Sequence, residues 1–427
     1  MRALARRLSQ LVARPGPRHA LHEPDLALLL TVLALAAFGL VMVFSASVGS
    51  DTSYAIRHAI WLTLGAGAAV VTTALDYRVW RRLAVPALLA AVALLLVVLV
   101  PGIGDTRLGA QRWIDLGPLS FQPAEVAKLA LVLYLASWLA SKGDGIRRFG
   151  HGVVPFVVLL GALVGLTILQ PDLGTSMILV FVGFAMFFAA GAAISHFALL
   201  GASGMAAALV LALGASYRRE RLLVFLSSDQ ELFDPNGLFR TLGWQIAQAR
   251  LAFGGGGWFG VGLGAGRQKF QWLPHAHNDA IFAVIGEELG VVGCAVVLLL
   301  FLLFAWRGLS IARRAPDRFG ALLAVGITSW IVSQALVNVG GITSTLPFTG
   351  IPLPFVSYGG SALVSSLAAT GILLSVSRAT VPRGAERRAE RPARVPASRH
   401  PSLTPALRSF GRDRRRRSAP RTGRLRP

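Results

Sequence analysis

The feature that most constrains this chain is a succession of long apolar stretches. There are ten, at roughly 26–45, 56–75, 83–101, 122–140, 153–169, 174–191, 196–215, 279–305, 319–340 and 355–377, each near the ~20 residues that a helix needs to cross a bilayer. Backbone inside lipid must satisfy its own hydrogen bonds, which leaves helices or closed barrels. Continuous apolar runs of this length, rather than alternating ones, predict helices. The expected fold is an all-α polytopic membrane protein with ten transmembrane helices. Composition agrees: 54% of residues are hydrophobic and 15% charged, against about 25% charged in soluble domains.

Lys and Arg in short connectors set the orientation. The N-terminal arginines, Arg78/Arg81/Arg82, Lys142/Arg147/Arg148, Arg307/Arg313/Arg314/Arg318 and the tail from Arg378 fall on one side. That side is expected to be cytoplasmic, with both termini there. The segments 46–55, 102–121, 170–174, 216–278 and 341–354 then face outward, and the largest, 216–278, joins spans seven and eight. The apolar run after Arg18 is longer than the ~7–15 residues of a cleaved leader, so it reads as an uncleaved first span. Domain limits follow: a basic N-terminal tail at 1–24, a membrane domain at 25–378, and a basic tail at 379–427. That last segment is rich in Arg, Pro, Ala and Ser and cannot bury a core, so it is expected to be disordered.

The net charge of +22 would ordinarily raise nucleic acid as a partner. Here the charges flank spans, so membrane lipid is the expected partner and nucleic acid is not. The single cysteine, Cys294, excludes an internal disulfide and a Cys-based metal site. The outer segment 216–278 is itself basic, with Arg218, Arg219, Arg221, Arg240, Arg250, Arg267 and Lys269; long loops cross regardless of charge. Within it, Phe239–Phe253 reads as an amphipathic helix lying on the outer surface, or as a plain exposed helix.

The chemistry concentrates between Gly254 and Gly293. A glycine-rich, basic, aromatic segment turns at Pro274 into an apolar helix, with Asp279 at its mouth and Glu287 and Glu288 inside. Carboxylates at such depth point to function. Asp279 has two readings: a general base, or a carboxylate that complements the helix dipole. A base needs an acceptor hydroxyl within reach and cations that stabilise a leaving anion. Arg267 and Lys269, in the same loop, are the candidates for that charge. Glu287 lies about 12 Å deeper at the rise of an α-helix. It and Glu288 must line a cavity or meet a cation. Glu125 and Lys128 share a helical face of the fourth span, as a buried ion pair or with Lys128 reaching a phosphate. Arg112 and Trp113 precede that span at the interface.

Three other patterns are weak signals. The glycines at 254–266 lack G-x-x-x-x-G-K-[ST], so no phosphate loop is present. His275, His277 and Asp279 lie on a loop entering a helix, which does not fix metal geometry. Ser357 and Ser361 have no His and Asp partners for a triad.

Taken in order, the motifs have a family resemblance. They are Arg112-Trp113-Ile114, Gln122-Pro123-Ala124-Glu125 with Lys128, Gln170-Pro171-Asp172-Leu173-Gly174-Thr175, Gly260-Val261-Gly262-Leu263-Gly264 with Arg267-Gln268-Lys269-Phe270, His277-Asn278-Asp279, Phe282-Ala283-Val284-Ile285-Gly286-Glu287-Glu288-Leu289-Gly290, and Pro352 to Ser361. Over about residues 25–378 the chain resembles the SEDS proteins (shape, elongation, division and sporulation), and the division branch more than the elongation branch. The resemblance implies the SEDS fold and a peptidoglycan glycosyltransferase that joins lipid II, an undecaprenyl-pyrophosphate disaccharide-pentapeptide, into glycan strands on the outer membrane face. It implies an inner-membrane location at the division septum, a class B penicillin-binding protein (an FtsI-like transpeptidase) as partner, and other divisome proteins nearby. A divalent cation, magnesium or manganese, goes with the activity; its ligands are not assignable in this sequence.

Asp279 matches the family's essential aspartate, the base for the acceptor 4-hydroxyl. Arg112, Lys128, Arg267, Lys269, His277 and Ser357 are the expected substrate-binding residues. Glu125, Asp172, Glu287 and Glu288 are expected to support them. The chain departs from the family at Asn278, usually Thr, and Ala280, usually Phe. Two competing readings use the same residues: a lipid II flippase with Glu125, Lys128, Glu287 and Glu288 as a polar path, or a non-catalytic septal scaffold for the transpeptidase.

Overall fold

The computed structural model describes residues 22–380, except 49–50, 108–109, 116, 118–119, 215 and 235–241. The tails expected at 1–24 and 379–427 therefore lie outside the described residues, apart from 22–24 and 379–380. Helices cover most of the rest: α1 Leu26–Ser47, α2 Ser53–Ala74, α3 Arg78–Val97, α4 Pro123–Lys142, α5 Val154–Leu169, α6 Leu173–Ala189, α7 Ile194–Leu213, α8 Ser216–Leu226, α9 Leu242–Gly256, α10 Ile281–Arg314, α11 Arg318–Ile342 and α12 Gly360–Arg378. Every expected apolar run falls on a helix. Among the described residues eight helices, α5 being counted from Phe149, are long and apolar enough to cross a membrane, and two, Leu173–Ala189 and the stretch Ile194–Ala207, are shorter.

Helix starts follow from local chemistry. Asp25, Asp172 and Asp317 each accept a backbone N–H in the first turn of α1, α6 and α11, which satisfies a donor the helix cannot. Pro123 opens α4, where its missing N–H costs nothing. α2 and α12 run side by side in the same direction. Thr72 and Thr73 donate to Ala368 O and Gly371 O, and Ser375 donates back to Leu75 O. Such hydroxyl-to-carbonyl bonds replace the hydrophobic drive that lipid removes between helices.

The two ends of the bundle differ. At one end His22 N donates to Arg378 O at 2.8 Å, and Asp25 pairs with Arg307, with Arg314 3.7 Å away. The first helix starts and the last helix ends there. The opposite end carries the described residues of segments 102–121, 170–172, 216–280 and 343–359.

Three differences from the sequence expectation matter. Segment 102–121 folds as a three-stranded antiparallel sheet, β1 Gly104–Arg107, β2 Ala110–Asp115 and β3 Ser120–Phe121. Its glycines and prolines read as turns, and its strands are too short to show a period of two. α12 begins at Gly360 rather than 355, because Phe355 has a φ of 65°, which no continuing α-helix tolerates. The eighth span starts at Ile281, past Asp279, and is broken at Gly290 (φ 67°, ψ −163°).

Candidate active site

The break in α10 is filled by the glycine-rich segment. A broken helix leaves N–H and C=O groups without partners, which is costly away from water. Val261 N and Gly262 N donate to Glu287 O and Glu288 O, both at 3.0 Å, while Val291 N and Val292 N donate to Gly257 O and Trp258 O. The two backbones approach so closely that a Cβ on Gly260 would lie 2.1 Å from Glu288 O, and one on Gly290 would lie 2.5 Å from Gly260 N.

The two glutamates lock this insertion. Glu288 is fully buried and pairs with Lys269 at 2.7 Å. It also accepts from Ser45 Oγ and Gly264 N. Lys269 Nζ donates to Ser45 Oγ, Gly264 O and Glu288 Oε1. An ammonium has three donors, so none remains for a pyrophosphate. Glu287 accepts from Arg267 N at 2.7 Å and from Gln268 N. Glu287 and Glu288 thus pin loop 260–270 to the N-terminal part of α10, and the Arg267 side chain is left exposed.

That lock sets the entry to α10. α9, expected on the surface, instead buries Ile246, Ala247, Gln248, Ala249 and Ala252, packing along the first half of α10. Trp244 Nε1 donates to Trp272 O at 2.8 Å. Gln245 Nε2 donates to Pro274 O and to Asp279 Oδ1, both at 3.3 Å. Asp279 is 7% exposed. Its Oδ2 accepts no hydrogen bond among the described residues, and the α10 N-terminus takes no side-chain cap. Burial, opposed mainly by the charge of His275, pushes its carboxyl up to about 6, with its own backbone N–H, Gln245 and Arg221 also holding it down.

The backbone around Asp279 is held from three sides. Asn338 of α11 donates to Asp279 O at 2.9 Å and to Ile351 O at 2.7 Å. Ser357 Oγ donates to Asn278 O and accepts from Leu353 N, so this expected substrate-binding hydroxyl is occupied in holding the loop. Tyr358 N donates to His277 O. His277 stacks on Tyr54 with centroids 4.0 Å apart and meets Tyr358 edge-on at 5.6 Å. Burial pushes its imidazole down to about 4, so it is neutral at physiological pH.

The remaining expected residues lie elsewhere. Arg112 donates to Gln170 O and Pro171 O, tying the sheet to the α5–α6 turn. Asp172 caps α6 and accepts from Gln122. Lys128 is buried inside the bundle, donating to Glu125 at 2.8 Å and Gln334 at 2.7 Å, 5.2 Å from the Trp330 ring centre. Two of its three donors are thus held inside the bundle.

Residues 26–381 match the model of the cell cycle protein family that groups FtsW, RodA and SpoVE. The chain belongs to this family. The probable peptidoglycan glycosyltransferase FtsW of Trichlorobacter lovleyi is 44% identical over 84% of this chain and 94% of its own length. The stage V sporulation protein E of Bacillus subtilis is 42% identical, over 83% and 97%. Two solved structures share the fold: a peptidoglycan synthase complex that coordinates polymerization and crosslinking (TM-score 0.69, 32% identity, 83% of this chain and 98% of that one), and RodA of Thermus thermophilus (0.61, 31%, 84% and 98%). The chain is therefore a multi-pass membrane protein of the FtsW, RodA and SpoVE family.

The family motifs led to Asp279 and not to its neighbours. Arg221, Gln245 and Asn338 come from α8, α9 and α11, far away in sequence. Arg221, whose guanidinium donates to Phe348 O at 2.7 Å, was visible only as one basic residue among several in the loop. Of the two departures, Ala280 is fully buried, and Asn278 keeps a buried side-chain oxygen without a partner among the described residues.

Proposed function

We propose that this chain is a peptidoglycan glycosyltransferase that polymerises lipid II on the outer face of the cytoplasmic membrane, with Asp279 as the base. One observation carries the assignment of the base. Glu125 and Glu288 each face a lysine, Glu287 takes backbone N–H donors, and Asp172 caps a helix. Asp279 instead stands at the mouth of α10, where its Oδ1 takes a 3.3 Å bond from the uncharged Gln245 and Gly350 leaves room beside its Oδ2. A base must be able to take a proton at neutral pH, and a carboxyl near 6 suits that task.

In the transfer, the O–H bond of the acceptor 4-hydroxyl breaks and its proton passes to Asp279. The hydroxyl oxygen forms a bond to C1 of the donor sugar. The C1–O bond to the pyrophosphate breaks, and its electron pair leaves with the lipid-linked diphosphate. Attack opposite the leaving group turns an α donor into a β product. Arg221 and the exposed Arg267 supply positive charge at this end of the bundle. Among the described residues no three of His, Cys, Asp and Glu gather to hold a metal. The described residues thus offer no cluster that would hold a divalent cation by protein ligands alone, and no step runs through one.

The orientation that goes with this chemistry places the Asp279 end outside and both termini in the cytoplasm. The similarity to the FtsW relatives favours a septal role beside a class B penicillin-binding protein and other divisome proteins. The solved synthase complex, by its description, couples polymerization with crosslinking, which supports such a transpeptidase partner. Purified chain, reconstituted with lipid II and an FtsI-like partner, is expected to make glycan strands that disappear with Asp279→Ala. Lipid II scrambling without glycan would favour a flippase. Partner binding with neither activity would leave a scaffold.

A further inference from the structure

We infer that Gln245 and Gly350 assign different work to the two oxygens of Asp279: Gln245 holds Oδ1, and Gly350 keeps open the space beside Oδ2, where the acceptor hydroxyl gives up its proton. The inference rests on the reading of Asp279 as the base and goes beyond it by naming the reactive atom and the residues that select it.

The geometry is asymmetric. The Gln245 amide bridges Pro274 O and Asp279 Oδ1. One donor therefore ties the turn at the start of the 274–280 segment to the carboxylate near its end. Rotation about the Asp279 side chain would break that bond. Oδ2 has no such partner. Its neighbour is Gly350, whose φ is +74° and where an added Cβ would sit 3.3 Å from Oδ2, with Phe348 Cε1 next at 3.9 Å. Any side chain at 350 would stand where a hydroxyl oxygen must approach. A residue here also meets the strain of positive φ. Both pressures keep the position free of a Cβ.

Two charged groups act on the same carboxyl and must be kept constant in any test: His275, of the same loop, and Arg221, of α8. Gln245 carries no charge. Its hydrogen bond favours the ionised carboxylate, as any donor does. Losing it must therefore move the acid side of the activity profile upward.

The test uses the full chain with lipid II and its transpeptidase partner, following polymerisation against pH. Gln245→Met keeps the volume and removes the donor. It is expected to lower kcat by about ten- to a hundredfold, the scale of a misplaced reacting group, with little change in KM and an upward move of the acid limb. Gly350→Ala is expected to lose activity through kcat/KM while the limb stays in place. Gly191→Ala, at φ +88° with open space around it at the opposite end of the bundle, bears the same strain and is expected to keep full activity. Melting temperatures confirm folded protein. Natural kcat and an unmoved limb in Gln245→Met would overturn the role of Gln245, and natural kcat/KM in Gly350→Ala would overturn that of Gly350. Activity surviving in Asp279→Ala would instead remove the base itself, a distinguishable failure.

Discussion

Lys269 Nζ lies 2.7 Å from Glu288 Oε1, and both side chains are closed off from solvent. This pair joins the glycine-rich segment to the broken helix that leads to Asp279. Removing one partner of a buried pair leaves an uncompensated charge, at a cost of about 3–5 kcal/mol. Lys269→Met is expected to melt well below the natural chain. The double variant Lys269→Met/Glu288→Gln is expected to recover part of the loss. Melting in detergent checks both, and a Lys269→Met protein of natural stability but raised KM would return this lysine to substrate binding.

The break at Gly290 makes a sharper structural prediction. Gly290→Ala adds a Cβ 2.5 Å from the backbone of Gly260 and Trp258 at a φ of 67°. The backbone cannot yield as a side chain can. The variant is expected to lose stability by more than the ~1 kcal/mol of a simple Gly–Ala difference, and activity with it. Gly67→Ala, in α2 with nothing near its position, is the control and is expected to be neutral or better.

Lys128 separates the transferase reading from the flippase reading. Its donors go to Glu125 and Gln334 inside the bundle. Lys128→Met is expected to lower the melting temperature while the folded protein still forms glycan with a KM close to natural. A KM raised severalfold at unchanged stability would show that the ammonium reaches substrate after all.

What the sequence made legible follows from the range of each interaction. The spans could be read because a helix crossing lipid writes its length as an apolar run. Asp279 could be read because Pro274 and the apolar run behind it mark a mouth. The break at Gly290 could not, since the apolar run continues through it and glycine is common in membrane helices. Gln245 and Asn338 reach Asp279 across 34 and 59 residues, and only the packing of α9 and α11 on α10 brings them there. Lys269 carried a charge in a loop, and nothing local showed that it would be buried on Glu288. The sheet at 104–121 hid behind its own turn residues.

The pH profile tests the electrostatics at the site. A base must be ionised, and burial pushes Asp279 up to about 6. Polymerisation, as kcat/KM, is therefore expected to rise with pH through about 6 and level off above. An acid limb near 4, the range of an unburied carboxylate, would contradict the burial described.

The same shift has a stability consequence. The folded carboxyl holds its proton more tightly than the unfolded one, near 3.8. Its stabilising contribution is complete below that value and is lost as pH rises through about 6. Near pH 7.5 the ionised group then costs about 2–3 kcal/mol. Asp279→Asn, which cannot ionise, is expected to melt above the natural chain at pH 7.5 and level with it near pH 4. Equal melting at both would show that the group is better solvated than it is here.

That last variant also gives the most direct test of the central claim, because a protein more stable than the natural one cannot owe inactivity to unfolding. The measurement is glycan strand formation by Asp279→Asn from lipid II, with the transpeptidase partner present and the fold checked by melting. No strands from a fully folded Asp279→Asn protein is the predicted result. Strands made at the natural rate would show that the proton goes elsewhere and that Asp279 is not the base.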